Sequence, residues 1–167
     1  MTKTYVSKTL PTPVGALTLV ASDVGLAAIL WENDDPRRVR LEHVPGDNEA
    51  LRETARQLGA YFAGRRTAFD LKLDFHGTDF QKAVWQALLT IPFGETRSYA
   101  DIARQVGNPK AVRAVGAANG RNPISIVAPC HRVIGANGKL TGFAGGLEAK
   151  ALLLGLETAA PRFRDAA

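Results

Sequence analysis

The residues of this chain with the clearest chemical potential lie in one short stretch, IVAPCHRVIG, at positions 126–135. It holds Cys130, the only cysteine among 167 residues, directly between Pro129 and His131. A buried free cysteine commonly serves as a small packing residue. A thiol beside an imidazole can instead be an activated nucleophile, because the imidazole can accept the thiol proton and leave the reactive thiolate. These residue types alone leave both interpretations open.

The segments on either side of the thiol are compatible with a reactive site. The run ISIVAP at 124–129 predicts a buried strand that ends at the thiol, and adjacent residues of an extended chain point in opposite directions. A contact between Cys130 and His131 is therefore expected to need a water or a turn. Upstream, Asn122 supplies an amide that could hold the backbone around the thiol. Downstream, the glycine-rich residues 137–146 (NGKLTGFAGG) could wall a pocket, and no GxSxG, HExxH or phosphate-binding glycine motif occurs.

The second half of the chain predicts the helices that would position this site. Residues 78–81 (TDFQ) resemble a capping box that opens a helix, and Ser98 can cap a second helix over YADIARQVG. A tight turn at Asn108 and Pro109 leads to a third helix, KAVRAVGAANG. Two short helices joined by a glycine-containing turn are typical of a helix-turn-helix. The third helix has a nearly smooth surface of alanine and glycine, on which Arg113 is the one long side chain, and this would fit either close helix packing or a DNA minor groove.

Charge favours a polyanion as the partner of this half. The formal net charge of +5 comes wholly from residues 78–167, where eleven Lys and Arg stand against six Asp and Glu. Within residues 96–139, seven basic side chains accompany one acid, Asp101. A basic segment inside a folded domain is typical of nucleic-acid binding, although charge alone would equally fit a solvated basic surface.

The first part of the chain predicts a small α/β unit. Residues 15–21 and 26–31 are two apolar runs around a turn, which indicates a hairpin. Residues 49–62 place apolar side chains at helical spacing, and the alternation of residues 69–75 predicts a half-buried strand. The fold class expected is thus an α/β N-terminal domain, 1–76, followed by a mainly α domain with a helix-turn-helix, 77–167.

Composition limits the compartment and the cofactors. One cysteine permits neither an internal disulfide nor a cysteine-based zinc site, which favours a reducing cytoplasm. No apolar run approaches the roughly 18 residues of a membrane helix, and residues 1–15 lack the apolar core of a secretory signal. We therefore expect a cytoplasmic protein without a bound metal or cofactor.

The motifs PCHRVIG, GAANGRNPISIVAPCHRV and GKLTGFAGG closely resemble the O6-alkylguanine-DNA alkyltransferases, with the match covering roughly residues 77–157. In the N-terminal part the resemblance is carried by TPVGALTL and QLGAYFAG. The resemblance implies a monomeric repair protein that flips O6-alkylguanine out of duplex DNA through the minor groove. It also implies that the alkyl group is moved irreversibly onto a cysteine, once per protein molecule and without cofactor. Cooperative binding along DNA stays open.

By position in the family motifs, the resemblance assigns roles to five residues. Cys130 would accept the alkyl group, and His131 would take the thiol proton through a water. Glu157 would hold the imidazole from its far side, Asn122 would brace the active-site turn, and Tyr99 would protonate the departing guanine.

The resemblance also implies a DNA-binding surface and a base pocket. Arg113 would be the finger that fills the stack vacated by the flipped base. The helix surface around Arg113 that meets DNA would be formed by Ala114, Gly116, Ala117 and Arg121, with Tyr99 near the DNA backbone. The pocket around the flipped base would be formed by Val133, Phe143, Ala144 and Gly145. The family often has Tyr and Ser where this chain has Phe143 and Ala144, which leaves backbone N–H groups of 143–145 as candidates to contact O6. Two other functions remain: a lesion-binding module that does not transfer the alkyl group, and a cysteine hydrolase.

Overall fold

The computed structural model describes residues 4–138 and 143–158, and its N-terminal part is a four-stranded sheet covered by one helix. The strands are β1 (Val6–Thr12), β2 (Gly15–Ala21), β3 (Leu26–Leu30) and β4 (Val44–Pro45), and the helix is α1 (Glu49–Phe62). The spatial order is β3-β2-β1-β4, antiparallel except where β4 runs parallel to β1. The predicted hairpin and helix are confirmed, whereas β1 was not anticipated.

Helix α1 forms because its sequence supplies both a cap and an apolar face. The side-chain oxygen of Asn48 accepts a hydrogen bond from the Leu51 backbone N–H at 2.9 Å, which satisfies one of the free donors at the helix start. Leu51, Leu58 and Tyr61 are fully buried against the sheet. Helix α1 thereby brings Tyr61 into the interior of the molecule.

The predicted strand at residues 69–75 is wrong. Only Leu73 makes a ladder contact, an isolated parallel bridge to Leu26. Two segments share the free edge of β3. The first contains Leu73, and the second contains Ile124, which forms a bridge with Ile29; the Ile29 N–H also donates to the Pro123 carbonyl at 2.8 Å. Each segment therefore makes one bridge, and the bridge at Ile124 attaches the sheet to the chain just before Cys130.

The C-terminal part is mainly helical, as expected. Its elements are α2 (Asp79–Leu88), β5 (Arg97–Ser98), α3 (Tyr99–Gln105), α4 (Val112–Gly120), a 3₁₀ turn (Cys130–Arg132), β6 (Val133–Ile134) and α5 (Leu147–Thr158). Capping boxes open α2 at Thr78 and α3 at Ser98, which confirms both predicted helix starts. The helix-turn-helix is α3 and α4, joined by the turn at 106–111.

The predicted strand at 124–129 is also wrong, and the correction bears on the thiol. The segment makes consecutive turns, in which the Ala128 N–H donates to the Ile124 carbonyl and the Cys130 N–H to the Ala128 carbonyl. Ile126 adopts a φ of 74°, a conformation that a β-branched residue rarely takes. The run is apolar because it is buried on all sides, and apolar continuity alone does not distinguish a buried strand from a buried turn.

The core consists of two apolar clusters, and Phe75 and Phe143 pack against both. One joins the sheet and α1 with Ile124, Ile126 and Val127, and the other joins the C-terminal helices with Cys130 and Val133. The chain therefore passes from one cluster to the other within the turn that precedes the thiol. In the described part of the chain, no helix has the length and apolarity needed to cross a membrane.

Stability should be sensitive at Gly25, which precedes β3. A Cβ there would lie 2.4 Å from the Lys72 carbonyl oxygen, the acceptor of the Leu26 N–H. We expect Gly25→Ala to lower the free energy of unfolding by about 2 kcal/mol or more in urea denaturation. The matched control is Gly59→Ala in α1, where a Cβ meets nothing within 4 Å, and a gain of about 0.5–1 kcal/mol is expected. Equal effects of the two substitutions would contradict this account.

Candidate functional site

Cys130 begins the 3₁₀ turn and is almost completely buried, with 3% of its surface exposed. The turn replaces the extended geometry expected from sequence, so Cys130 and His131 do not alternate across a strand. Asn119 on α4 also reaches this turn, since its amide donates to the Cys130 carbonyl at 3.4 Å. The thiol therefore sits on backbone that is held by α4 and by its own preceding turns.

Asn122 braces the backbone that leads to the thiol. Its side-chain amide donates to the Ala128 carbonyl at 2.8 Å, and its side-chain oxygen accepts from the Ile124 N–H at 3.0 Å. The Asn122 carbonyl in turn accepts a hydrogen bond from Arg38, whose guanidinium also pairs with Asp34. The brace is thus itself anchored to the loop that follows β3.

Burial keeps the thiol protonated at rest. It raises the pKa of Cys130, because the thiolate would lose the solvation that it has in water. The polar side chains of Asn122 and Ser125, and the positive charges of Arg38 and Lys150, act in the opposite direction on the thiol pKa but do not outweigh burial. Ionisation of this thiol therefore requires a base or a bound substrate.

A buried network continues from His131. Its Nε2 lies 2.8 Å from Oε2 of Glu157, and Glu157 also receives Arg132, with Nε at 2.8 Å from Oε1 and Nη2 at 2.9 Å from Oε2. Tyr61 of α1 donates its hydroxyl to Oε2 at 2.6 Å. Burial would raise the pKa of Glu157, but the hydrogen bonds from His131 and Arg132 hold it at about 2.

These contacts fix the tautomer of His131. Glu157 is ionised at neutral pH and can only accept, so Nε2 of His131 must be the protonated nitrogen. Desolvation lowers the pKa of His131, so the ring is neutral and Nδ1 carries a lone pair. Nδ1 is buried and has no hydrogen-bond partner among the described residues. His131 is therefore a neutral base that directly follows Cys130 in sequence, and its Nδ1 is able to accept a proton.

Val133 and Phe143 pack in the same apolar cluster as Cys130, and Phe143 also packs against the cluster that contains Trp31 and Ala144. Val133 is fully buried, and its carbonyl accepts from the Lys150 ammonium at 2.7 Å. Phe143 contacts the Trp31 ring edge-to-face at 5.3 Å, and a Cβ at Gly145 would lie 2.6 Å from the same ring. Ala144 is half-buried beside them. Residues 139–142, which the predicted loop includes, lie outside the described residues.

Helix α4 presents the surface expected to meet DNA. Arg113, Ala114, Ala117 and Arg121 are exposed, while the opposite face is buried. Gly116 faces the Tyr99 ring, since a Cβ there would lie 3.8 Å from it. The pairing of β5 with β6 ties the strand before Tyr99 to Val133, which follows the thiol turn.

A groove of about 850 Å³ lies beside α4 and separates it from the loop after β3. Its walls include Arg37, Arg38 and Arg40 on the loop and Arg121 on the helix side. Asp35 lies in the same wall and pairs with Arg37, and Arg38 pairs with Asp34, so two of the loop arginines have their charge balanced locally.

The structure brings together most of the residues singled out from sequence. Cys130, His131, Asn122 and Glu157 form one connected site with Val133 and Phe143 beside it. Tyr99 packs against the same apolar cluster as Cys130, whereas Arg113 lies apart on the exposed surface of α4.

Sequence reasoning missed five residues that take part in the site: Arg38, Tyr61, Ser125, Arg132 and Lys150. Ser125 and Arg132 lie within the motif GAANGRNPISIVAPCHRV, and the polarity of Ser125 in the apolar run ISIVAP was a usable signal. Tyr61 and Arg38 contact residues 96 and 84 positions away, and nothing local points to those contacts. Among residues 4–138 and 143–158, no cluster of three or more His, Cys, Asp or Glu could hold a metal ion.

Comparison with known proteins covers both parts of the chain. Residues 79–159 match the family model for the 6-O-methylguanine DNA methyltransferase, DNA binding domain, and residues 5–75 match that for its ribonuclease-like domain. The methylated-DNA–protein-cysteine methyltransferase of Mycolicibacterium paratuberculosis is 53% identical over 152 residues, covering 90% of each chain. The enzyme of the same description from Methanosarcina acetivorans is 52% identical over 145 residues, covering 87% of this chain and 93% of its own.

A solved structure extends the similarity to three dimensions. The crystal structure of Mycobacterium tuberculosis OGT in complex with DNA superposes with a TM-score of 0.84 at 51% identity, over 93% of both chains. The similarity therefore spans the sheet, the helix-turn-helix and the thiol turn together.

The brace at Asn122 yields a test that uses the single cysteine as its own probe. We expect Asn122→Ala to move the pH midpoint of thiol alkylation by iodoacetamide upward, because the polar side chain of Asn122 lowers the thiol pKa. The same substitution should lower the free energy of unfolding by about 1–3 kcal/mol, since buried backbone groups lose their partners. The exposed Asn108→Ala serves as the control and should leave both quantities unchanged. An unmoved midpoint in Asn122→Ala would contradict the influence of Asn122 on the thiol pKa.

Proposed function

The chain belongs to the 6-O-methylguanine DNA methyltransferase family, and we propose that Cys130 is the acceptor of the alkyl group that it removes from guanine in DNA. The observation that carries this assignment is the lone buried thiol, next in sequence to a neutral imidazole whose second nitrogen is held by a buried carboxylate. DNA repair by transfer to a cysteine needs one nucleophile and one base, and this site supplies both.

The transfer follows from the protonation states. The sulfur attacks the alkyl carbon, a C–S bond forms, and the bond between that carbon and O6 breaks with its electron pair leaving on guanine. The thiol proton passes to Nδ1 of His131 through a water, and the resulting imidazolium is stabilised by Glu157 on its Nε2 side. Tyr99 supplies a proton to the departing guanine, which is a poor leaving group as an anion.

The product explains why each molecule acts once. A thioether at Cys130 has no acidic proton and is a poor leaving group, and the site offers no second thiol to displace it, since the chain has one cysteine. Without a cofactor to remove the alkyl group, the modified protein cannot return to its starting state. Transfer is therefore stoichiometric.

Burial of the thiol requires that the damaged base leave the duplex. A sulfur with 3% of its residue exposed cannot reach an alkyl group inside the base stack, so the nucleotide must rotate into the pocket. Val133, Phe143, Ala144 and Gly145 supply the apolar walls and backbone groups of that pocket.

The exposed face of α4 is suited to the minor groove. Its small side chains at Ala114, Gly116 and Ala117 let the helix backbone approach a narrow groove closely. Arg113 would occupy the gap left by the flipped base, and Arg121 would contact phosphate. We further infer that the protein works as a monomer in the cytoplasm, where its thiol stays reduced, with residues 1–76 and 77–167 as its two domains.

The acceptor assignment is tested by mass spectrometry after incubation with duplex DNA carrying O6-methylguanine. The peptide containing Cys130 should gain the mass of one CH₂, at no more than one methyl group per protein molecule. Cys130→Ser should bind the same DNA and gain nothing. Binding by the wild type without a mass gain would favour a lesion-binding module, and repeated turnover of a small ester would favour a cysteine hydrolase.

The role of Arg113 is tested by separating transfer from binding. We expect Arg113→Ala to lower the single-turnover transfer rate at saturating DNA by about tenfold or more, while the Kd for DNA changes less, because the side chain acts after the protein has bound. Arg56→Ala on the exposed face of α1 is the charge-matched control and should affect neither. If the transfer rate at saturation is unchanged, Arg113 has only a packing or binding role.

A further inference from the structure

Tyr61 is the one group from the N-terminal sheet-and-helix layer seen to contact Glu157 within the described residues. It lies in the last turn of α1, 96 residues before Glu157, and donates its hydroxyl to Oε2 at 2.6 Å. The residue is fully buried. The hydrogen bond therefore crosses between the two halves of the molecule in a dry environment, where such bonds are strongest.

We propose that Tyr61 is a positioning residue for alkyl transfer, which holds Glu157 so that the carboxylate sets the basicity and tautomer of His131. The inference rests on the proposed function, in which His131 accepts the thiol proton. It assigns the N-terminal part of the chain a share in the chemistry, through a single hydroxyl group.

Glu157 is held in place by several other hydrogen bonds besides the one from Tyr61. Oε1 accepts from Arg132, and Oε2 accepts from three donors: His131, Arg132 and Tyr61. Arg132 is in turn held by the Ile91 carbonyl at 2.6 Å. Tyr61 shares its acceptor atom with His131, so removal of the hydroxyl changes the charge on the very oxygen that faces the imidazole.

The ring of Tyr61 is fixed independently of its hydroxyl. It packs against Phe62 at 5.2 Å, Phe69 at 5.4 Å and Phe93 at 6.3 Å between ring centroids. Burial raises the pKa of Tyr61, with the charge of Glu157 acting in the same direction, so the phenol keeps its proton and remains a donor. Phenylalanine would fill the same space without the donor.

The effect on His131 has a definite sign. The charged groups that act on the imidazole are Glu157, which raises its pKa, and Arg132 and Lys150, which lower it. When the Tyr61 hydroxyl no longer donates to Oε2 of Glu157, that oxygen carries more negative charge and attracts the Nε2–H of His131 more strongly. The imidazolium then becomes more stable, and the pKa of His131 rises. Transfer requires the neutral ring of His131, so the transfer rate falls at low pH as the ring becomes protonated. This part of the pH–rate profile, the acid limb, must move to higher pH when the pKa of His131 rises.

The experiment measures single-turnover methyl transfer to Cys130 from pH 5 to 9 in wild type and Tyr61→Phe. We expect the acid limb to move upward by about half a pH unit or more in Tyr61→Phe, which lowers the rate below the limb about threefold. The ¹⁵N shifts of the His131 ring, one of only three histidines, should give the same displacement. Site-specific 3-fluorotyrosine at position 61, a stronger donor of nearly the same size, should move the limb downward.

Two controls separate positioning from packing. Tyr5→Phe removes another N-terminal hydroxyl, one that contacts His76, and should leave the limb in place. Phe69→Leu loosens the rings around Tyr61 without touching Glu157, so it should change stability but not the limb. A limb that stays fixed in Tyr61→Phe and with fluorotyrosine, or that moves equally in Phe69→Leu, overturns the inference. Failure of the wild type to transfer the methyl group would instead overturn the proposed function.

Discussion

A buried carboxylate at Glu157 is the constraint on which the site depends. An ionised group in the interior is costly unless donors surround it, and here they are Tyr61 of α1 and both His131 and Arg132 of the 3₁₀ turn. Each donor must hold its place for the charge to be tolerated. The carboxylate therefore fixes α5 against the thiol turn and against the N-terminal layer, and the tautomer of His131 follows from it.

The N-terminal sheet contributes to the same arrangement through its edge. An unpaired strand edge invites other chains to pair with it, and β3 is covered instead by Leu73 and Ile124. The bridge at Ile124 holds the segment that Asn122 braces, and Arg38 reaches the Asn122 carbonyl from the loop after β3. The sheet thus positions the backbone before Cys130, while α1 positions the carboxylate behind His131.

Local signals predicted much of the fold and failed at particular places. The caps at Thr78 and Ser98, the hairpin and the helix-turn-helix follow from patterns within a few residues of each other. Residues 69–75 and 124–129 look like strands, but strand pairing depends on which edge is available, and β3 divides its edge between them. From sequence, Tyr61 looks like an ordinary buried aromatic residue of α1, because its hydroxyl acquires a partner only when folding brings Glu157, 96 residues away, next to it.

The thiol and the imidazole are both neutral at rest, and this suits a reagent that acts once. Two neutral groups cost less to bury than an ion pair would, and a protonated thiol resists stray electrophiles that would consume it. In the proposed transfer, the charge needed for attack arises only as the proton moves to His131. Glu157 is already negative and already solvated by its donors, so the new imidazolium finds its counter-ion in place and little has to rearrange. The permanent negative charge therefore lies on Glu157, which contacts the Nε2 side of the imidazole, and not on the thiol.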